Sequence, residues 1–286
     1  MSKSNFKRLL KPNKIITYLL MTALVAFTAL PLVYLVVTAF KPIEELFLFP
    51  PRFFVQNPTL SNFSELLSAM DSSVVPFTRY FANSVFVSMA TVFLAVSVSS
   101  LAAYSMTKMK LPFADVIFTV IITTLMFSPA VTQISSFVIV NQLHMVNTTA
   151  ALIIPRIAGA YSFFLLKQNM SQIPDALLES AKIDGCSYFG IYAKIVMPLS
   201  TPALATVAVF AFIANWNDFH SPLIYINRQA LKTLPLALQM LQGGAGQVAR
   251  TGAMAAATFV FTIPTILVFL FMQSKVIKTM VHSGIK

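Results

Sequence analysis

Groups that transfer protons, attack carbonyls or hold metals are scarce in this chain. Its three histidines, His144, His220 and His282, are scattered, its only cysteine is Cys186, and its acids number nine. No H-E-x-x-H metal motif and no G-x-S-x-G nucleophile elbow occurs, so neither metal-assisted hydrolysis nor acyl transfer has a basis in the sequence. No G-x-x-x-x-G-K-[ST] loop is present to cradle a nucleotide's phosphates. A single cysteine excludes a disulfide within the chain and a cysteine-based metal cluster. Polar chemistry concentrates instead at two places. One is ESAKIDGCSYFGIYAKIVMPL, residues 179–199, which carries two acids, two lysines and two glycines between hydrophobic runs. The other is Arg156, in LIIPRIAGAYSFF, together with Asn215, Trp216, Asn217 and Asp218. These residue types suit recognition: contact with another protein at the first, hydrogen bonding and ring stacking with a hydroxyl-rich solute at the second.

Hydropathy sets the helices that carry these residues. Hydrophobic residues make up 57% of the chain and charged ones 10%, and the mean hydropathy is +0.78. A soluble domain carries roughly 25% charged residues, so this is an integral membrane protein. A crossing needs about 20 apolar residues, and the gaps between charges supply them. Residues 15–40 and 81–107 each cross once. Residues 116–155 are too long for one helix and have a polar middle, NQLHMVNTT, which splits them into spans at 116–140 and 150–170. Spans at 199–224 and 251–274 complete an all-α, six-helix chain, 1–286, forming one transmembrane domain. The first span reads as a retained helix kinked at Pro31; its apolar run is longer than a signal peptide's and shows no small-residue cleavage site.

Lysine and arginine accumulate on the cytoplasmic side of a membrane protein. With both termini inside, the inner segments hold Lys3, Lys7, Arg8, Lys11, Lys14, Lys108, Lys110, Lys167, Lys182, Lys194, Lys275, Lys278 and Lys286, and the outer ones only Lys41, Arg52, Arg79, Arg228, Lys232 and Arg250. This distribution places 174–198 in the cytoplasm and explains the net charge of +11 by topology and anionic lipid, without nucleic acid. Outside lies a proline-containing loop, 41–79, expected to be an ordered cap with short helices. A second outer loop, 225–250, includes LQGGAGQ and is expected to be mobile.

Within the cytoplasmic segment, Pro174 suits a first helical turn, Asp175 complements the positive helix end, and Gly185 suits a left-handed stop. Tyr188, Ile191, Tyr192, Ile195 and Val196 then recur at spacings of three and four, giving a second short helix that Pro198 closes. Two uses fit such a hinged pair: an interfacial loop resting on lipid headgroups, or a docking element. Ser180 and Ala181 beside Glu179 favour docking, because small side chains let another protein's surface approach.

Here the sequence resembles the inner-membrane permease subunits of bacterial ATP-binding cassette importers, in the carbohydrate-uptake branch. The hallmark is Glu-Ala-Ala, three residues, Gly, nine residues, Ile, any residue, Leu-Pro. It stands as Glu179, Ser180, Ala181, Gly185, Ile195, Met197 and Pro198, with Ser180 replacing an alanine and Met197 the leucine. IDG at 183–185, NPTLSNF at 57–63, FANS at 81–84, WNDFHSPLIY at 216–225 and the terminal GIK extend the resemblance over nearly the whole chain. It implies the type I importer permease fold, with 174–198 as a coupling helix seated in a cleft of a cytoplasmic ATPase. Glu179 would make the charged contact there, Ala181 the close packing and Gly185 the bend, with Asp184 capping or bracing it. It also implies the partners: a second homologous permease, usually in a heterodimer, two ATPase subunits that carry the ATP and magnesium, and an extracytoplasmic solute-binding protein. The chain itself would bind no cofactor and catalyse no reaction.

The solute would be a sugar, an oligosaccharide first, with glycerol-phosphate and polyols sharing the same features. Two readings stand for Arg156: a path residue, or a side chain snorkelling to the interface or held in a structural pair. Trp216 likewise reads as a sugar-stacking ring or an interface anchor. Tyr161, beside Gly159 and Ala160, is placed near the path, and Phe163 and Phe164 toward lipid. A membrane enzyme and a stand-alone secondary transporter are the competing classes. The first lacks a catalytic constellation, and the second lacks the intramembrane acids and bases that would couple an ion.

Overall fold

A computed structural model describes residues 12–71, 75–109, 111–242 and 251–284. Its helices are α1 (Pro12–Ala39), α2 (Ile43–Leu46), α3 (Ser61–Asp71), α4 (Phe77–Lys108), α5 (Ala114–Thr123), α6 (Pro129–Gln142), α7 (Ala150–Ile157), α8 (Ala160–Met170), α9 (Asp175–Ile183), α10 (Tyr188–Ile191), α11 (Met197–Leu199), α12 (Thr201–Trp216), α13 (His220–Tyr225), α14 (Leu234–Gln242) and α15 (Thr251–Gly284). No strand occurs among the described residues. The expected mobile stretch around LQGGAGQ lies largely outside them, as do most N-terminal basic residues.

Four stretches are long and apolar enough to cross a bilayer unaided: Ile15–Ala39, Phe77–Lys108, Ala150–Met170 and Thr251–Ser274. Two bent pairs qualify only when taken together, Ala114–Met126 with Val131–Gln142 at 113° and Tyr188–Leu199 with Thr201–Trp216 at 79°. The stretches expected as spans at 116–140 and 199–224 are therefore not single straight helices. α1 runs through Pro31 without interruption.

The chain divides into two compact units, Met1–Ala69 with Leu241–Val260, and Met70–Met240 with Phe261–Lys286. In the first, the expected cap is ordered, with helices α2 and α3. Asn62, from NPTLSNF, donates its amide to the carbonyls of Ala39 (2.9 Å) and Lys41 (2.7 Å), tying α3 to the end of α1. Gly252 leaves room for this side chain; a Cβ there would overlap it. Phe40 and Phe63 pack against Phe259. Glu45 accepts from the backbone N–H groups of Gln56 (3.0 Å) and Asn57 (2.9 Å), while Lys41 donates to the Arg52 carbonyl.

The Gln56 N–H holds the Glu45 carboxyl below the ordinary glutamate value; the Asn57 N–H and the charges of Arg52 and Lys41 act the same way, against a desolvation that opposes them. Because the folded value is lowered, the stabilisation is present above the unfolded value and is lost as pH falls through the folded one. Thermal unfolding from pH 7 to pH 3 should show wild type losing its advantage over Glu45→Gln across that acid window. A pH-independent difference would remove the carboxylate from this role.

The second unit is organised by α4, which packs on α7, α8 and α12. Its buried face is a run of small residues at spacings of three and four: Ser84, Ser88, Thr91, Ala95, Ser99 and Ala103. In a bilayer, apolar burial between helices gains little over lipid contact, so close backbone approach through such residues supplies the packing. Helix α4 starts directly after extended Pro76. Its first turns fasten a later loop: Asn83 donates to the carbonyls of Ala230 and Lys232, both at 2.9 Å, and the Ser84 hydroxyl accepts the Leu234 N–H at 2.7 Å. The FANS segment thus works as a clasp.

Candidate functional site

Helix α9 follows Pro174, which sits one residue outside the helix in extended conformation rather than in its first turn. At the other end Gly185 takes φ +82°, its N–H reaches the Lys182 carbonyl, and the Cys186 N–H reaches the Ala181 carbonyl at 2.9 Å. This is a Schellman closure, which satisfies the last carbonyls of α9. Asp184 caps through its backbone, donating to Ser180 and Lys182; its side chain is exposed. Ser187 then caps α10 by accepting the Gly190 N–H at 3.1 Å.

Pro198 does not close the second helix, as the periodicity suggests. A π-helical turn spans Tyr192–Val196, the Met197 N–H reaches back to Tyr192, and helical backbone continues through Pro198 to Leu199 before the turn at Ser200. Proline lacks the N–H that an i to i−4 bond needs, and the wider turn is compatible with that loss.

Leu178, Ala181, Ile191, Tyr192 and Val196 point inward, into a core with Tyr104, Phe163, Leu166 and Met170. Ala181 therefore packs against its own chain instead of offering a small surface to a partner, because it lies one turn from Leu178 on the same face. Phe163 is buried in this core as well, and does not face lipid. Ile195 is half-buried against it. Outward stand Glu179, Ser180 and Lys182, with Ile183 87% and Phe189 69% exposed. Ser180 bonds back to Leu177, and Lys182 lies over the Tyr188 ring. Glu179 has no hydrogen bond or ion pair among the described residues.

Three side chains of α4 fix this segment through four contacts, and none is evident from the sequence. Ser100 and Tyr192 hydroxyls meet at 2.7 Å, the Tyr104 hydroxyl donates to the Tyr188 carbonyl at 3.1 Å, and the Lys108 amine reaches the Ile173 carbonyl at 2.6 Å and Asp175 at 2.7 Å. Lys108 is buried at its side chain, so displacement of α9 would leave a desolvated ammonium without its acceptors. The spacing of 100, 104 and 108 on one helical face is the sequence signal that could have found the attachment.

The second group of polar residues is only partly brought together. Arg156, at the end of α7, pairs with Asp218 at 2.7 Å and donates to the Ser221 hydroxyl at 3.1 Å. Just beyond it, Gly159 is extended and interrupts α7 and α8. The span expected at 199–224 is also interrupted, at 217–219. There Asn217 bonds back to Ile213 and Asp218 accepts the Ser221 N–H, local bonds that compete with the helix. Arg156 and Asp218 line a cavity of about 490 Å³ with Gln133, Ser136, His220 and Ser221 among its polar walls.

The remaining candidates lie elsewhere. Trp216 is 1% exposed, enclosed by Phe81, Phe212 and Phe261, and its indole N–H donates to the Phe261 carbonyl at 2.9 Å. No ring face is left for a sugar. Asn215 donates to Ala211 within its own helix, and Tyr161 is exposed with its ring edge on Phe210. Among the described residues, no group of three or more His, Cys, Asp or Glu side chains could hold a metal.

Residues 95–280 match the family described as binding-protein-dependent transport system inner membrane component. The arabinooligosaccharides transport system permease protein AraQ of Halalkalibacterium halodurans is 28% identical over 285 residues, covering 96% of this chain and 99% of the relative. The trehalose/maltose transport system permease protein MalG of Thermococcus litoralis is 29% identical over 259 residues, covering 90% and 91%. A crystal structure of a bacterial ABC transporter involved in the import of the acidic polysaccharide alginate superposes with a TM-score of 0.82 at 18% identity, over 96% of this chain and 98% of that one, which shows a common fold. These relatives are transport permeases and not enzymes. The chain belongs to the binding-protein-dependent inner-membrane transport components, as a permease of the sugar ABC-importer family.

Proposed function

We propose that this chain forms half of a sugar-translocating pathway, with a second homologous permease as the other half, and transmits ATP-driven motion through residues 174–198. In this reading both termini are cytoplasmic, the bent helix pairs each count as one crossing, and six crossings make one transmembrane domain. Two partner ATPases bind ATP and magnesium, and an extracytoplasmic binding protein delivers an oligosaccharide. The names of AraQ and the Thermococcus MalG support a saccharide of this size.

The observation that carries the proposal is the attachment of an exposed, hinged segment to the long helix α4 at Ser100, Tyr104 and Lys108. Closure of two ATPases would displace Glu179, Ile183 and Phe189 together, and α4 would carry the displacement into the membrane as a rigid-body movement. The π-turn and the 79° bend at Ser200 supply the compliant joint on the other side. The test is ATP hydrolysis by the complex co-purified with its partners and reconstituted in lipid, with the binding protein and a saccharide panel. Stimulation by one saccharide class is the expected result. Absence of any co-purifying ATPase, or hydrolysis indifferent to every saccharide, would sink the reading.

A further inference from the structure

The importers similar in sequence or fold handle both uncharged and acidic saccharides, and the cavity at Arg156 bears on which this chain takes. We infer that this cavity, between α6, α7 and α13, is a subsite for an uncharged saccharide, with Asp218 as the residue that excludes acidic ones. The inference rests on the sugar-import reading and adds the charge class of the sugar.

The argument is one of donors and acceptors. Arg156 meets Asp218 at 2.7 Å, its side chain 32% exposed and that of Asp218 12% exposed, so the only Arg or Lys side chain among the lining residues is already matched by the only Asp or Glu. A guanidinium has five N–H donors and a carboxylate about four acceptor sites. Bonds to Ser221, from Arg156 at its hydroxyl and to Asp218 from its N–H, and the ion pair itself occupy part of each set and leave donors and acceptors over on two residues that line the cavity. A sugar hydroxyl both donates and accepts, so neighbouring hydroxyls can satisfy both members of the ion pair without breaking it. A uronate carboxylate only accepts. The only Arg or Lys that could neutralise it there is the guanidinium Asp218 already holds, and sharing that group places two like charges within a few ångströms in a partly desolvated site, a repulsion that neutral donors on the walls do not cancel.

The walls complete the match. Gln133, Ser136 and Ser221 offer further amide and hydroxyl partners, His220 adds an imidazole, and the exposed Pro155 supplies apolar surface for the C–H face of a ring. The volume of about 490 Å³ falls within the range of roughly 300–1,000 Å³ usual for small-molecule sites.

The experiment measures ligand binding by saturation-transfer NMR to the complete permease–ATPase complex in nanodiscs, without binding protein, so that only the membrane site reports. The probes are maltotriose and arabinotriose as uncharged trisaccharides and trigalacturonate as the acidic one. Wild type should favour at least one uncharged probe over trigalacturonate by about tenfold or more, and Asp218→Asn, which leaves the Arg156 charge unmatched, should shift that ratio toward trigalacturonate by about the same factor. The double variant Arg156→Gln with Asp218→Asn should lose the gain. Trigalacturonate bound by wild type as well as the uncharged probes, or a ratio unmoved by Asp218→Asn, would overturn the assignment while leaving the sugar reading intact. Binding of none of the three probes, together with ATP hydrolysis indifferent to every saccharide, would overturn both. The wild-type comparison decides the matter even if Asp218→Asn fails to fold.

Discussion

Glu179→Lys is expected to lower saccharide-stimulated ATP hydrolysis and uptake by roughly 30-fold or more while leaving the permease folded and inserted. Glu179 lies outward on α9 and has no partner among the described residues, whereas its neighbours are engaged: Ser180 with Leu177, Lys182 with the Tyr188 ring, Asp175 with Lys108. A carboxylate held ready on a surface that also exposes Ile183 and Phe189 suits an interface in which a cation is buried against it. Truncating one member of a buried, hydrogen-bonded charge pair typically costs about 2–5 kcal/mol, and placing a like charge there adds repulsion, so stimulated turnover should fall roughly 30-fold or more. Nothing in the fold depends on this side chain, so the variant should keep the thermal stability of wild type. Co-purification of ATPase with Glu179→Lys should fall in parallel with activity. Undiminished stimulation would move the coupling contact to another part of the segment.

Much of this arrangement is legible in the sequence. The spacing of Glu179, Gly185 and Pro198 marks the hinged segment, and Gly185 is legible as a left-handed stop because glycine takes φ +82° without a Cβ clash. The apolar gaps located the long helices, and the polar tract at 141–149 marked a real separation between α6 and α7. What spacing could not supply was facing. Ala181 looks like a contact surface in one dimension, but its phase relative to Leu178 turns it inward. Arg156 and Asp218 are 62 positions apart, and only packing of α7 against α13 makes them a pair. Helix interruptions were missed for a similar reason. Asn217, Asp218 and Gly159 read as tolerable within hydrophobic runs, yet their local bonds or backbone freedom win where both sides of the break are held by tertiary contacts.

Trp216→Ala is expected to act on stability rather than on recognition. The indole is stacked between Phe212 and Phe261, with ring centroids at 5.5 and 5.6 Å, and meets Phe81 edge-on at 5.9 Å. Replacement of a buried aromatic by alanine costs about 3–5 kcal/mol in soluble cores. In a bilayer the transfer from water falls away as a driving force, while the cavity and the lost dispersion contacts remain, which places the expected loss near the lower end, about 3 kcal/mol. Trp216→Phe separates the two components of the site: it keeps most of the ring volume but leaves the Phe261 carbonyl without its indole donor, a loss of about 1 kcal/mol. Thermal unfolding of the purified permease should therefore rank wild type, Phe and Ala in that order. Uptake per folded molecule, measured at a temperature where all three remain folded, should differ far less than stability does. A ring that stacked on the sugar would reverse this pattern, with uptake falling at unchanged stability, and that result would return Trp216 to the translocation path.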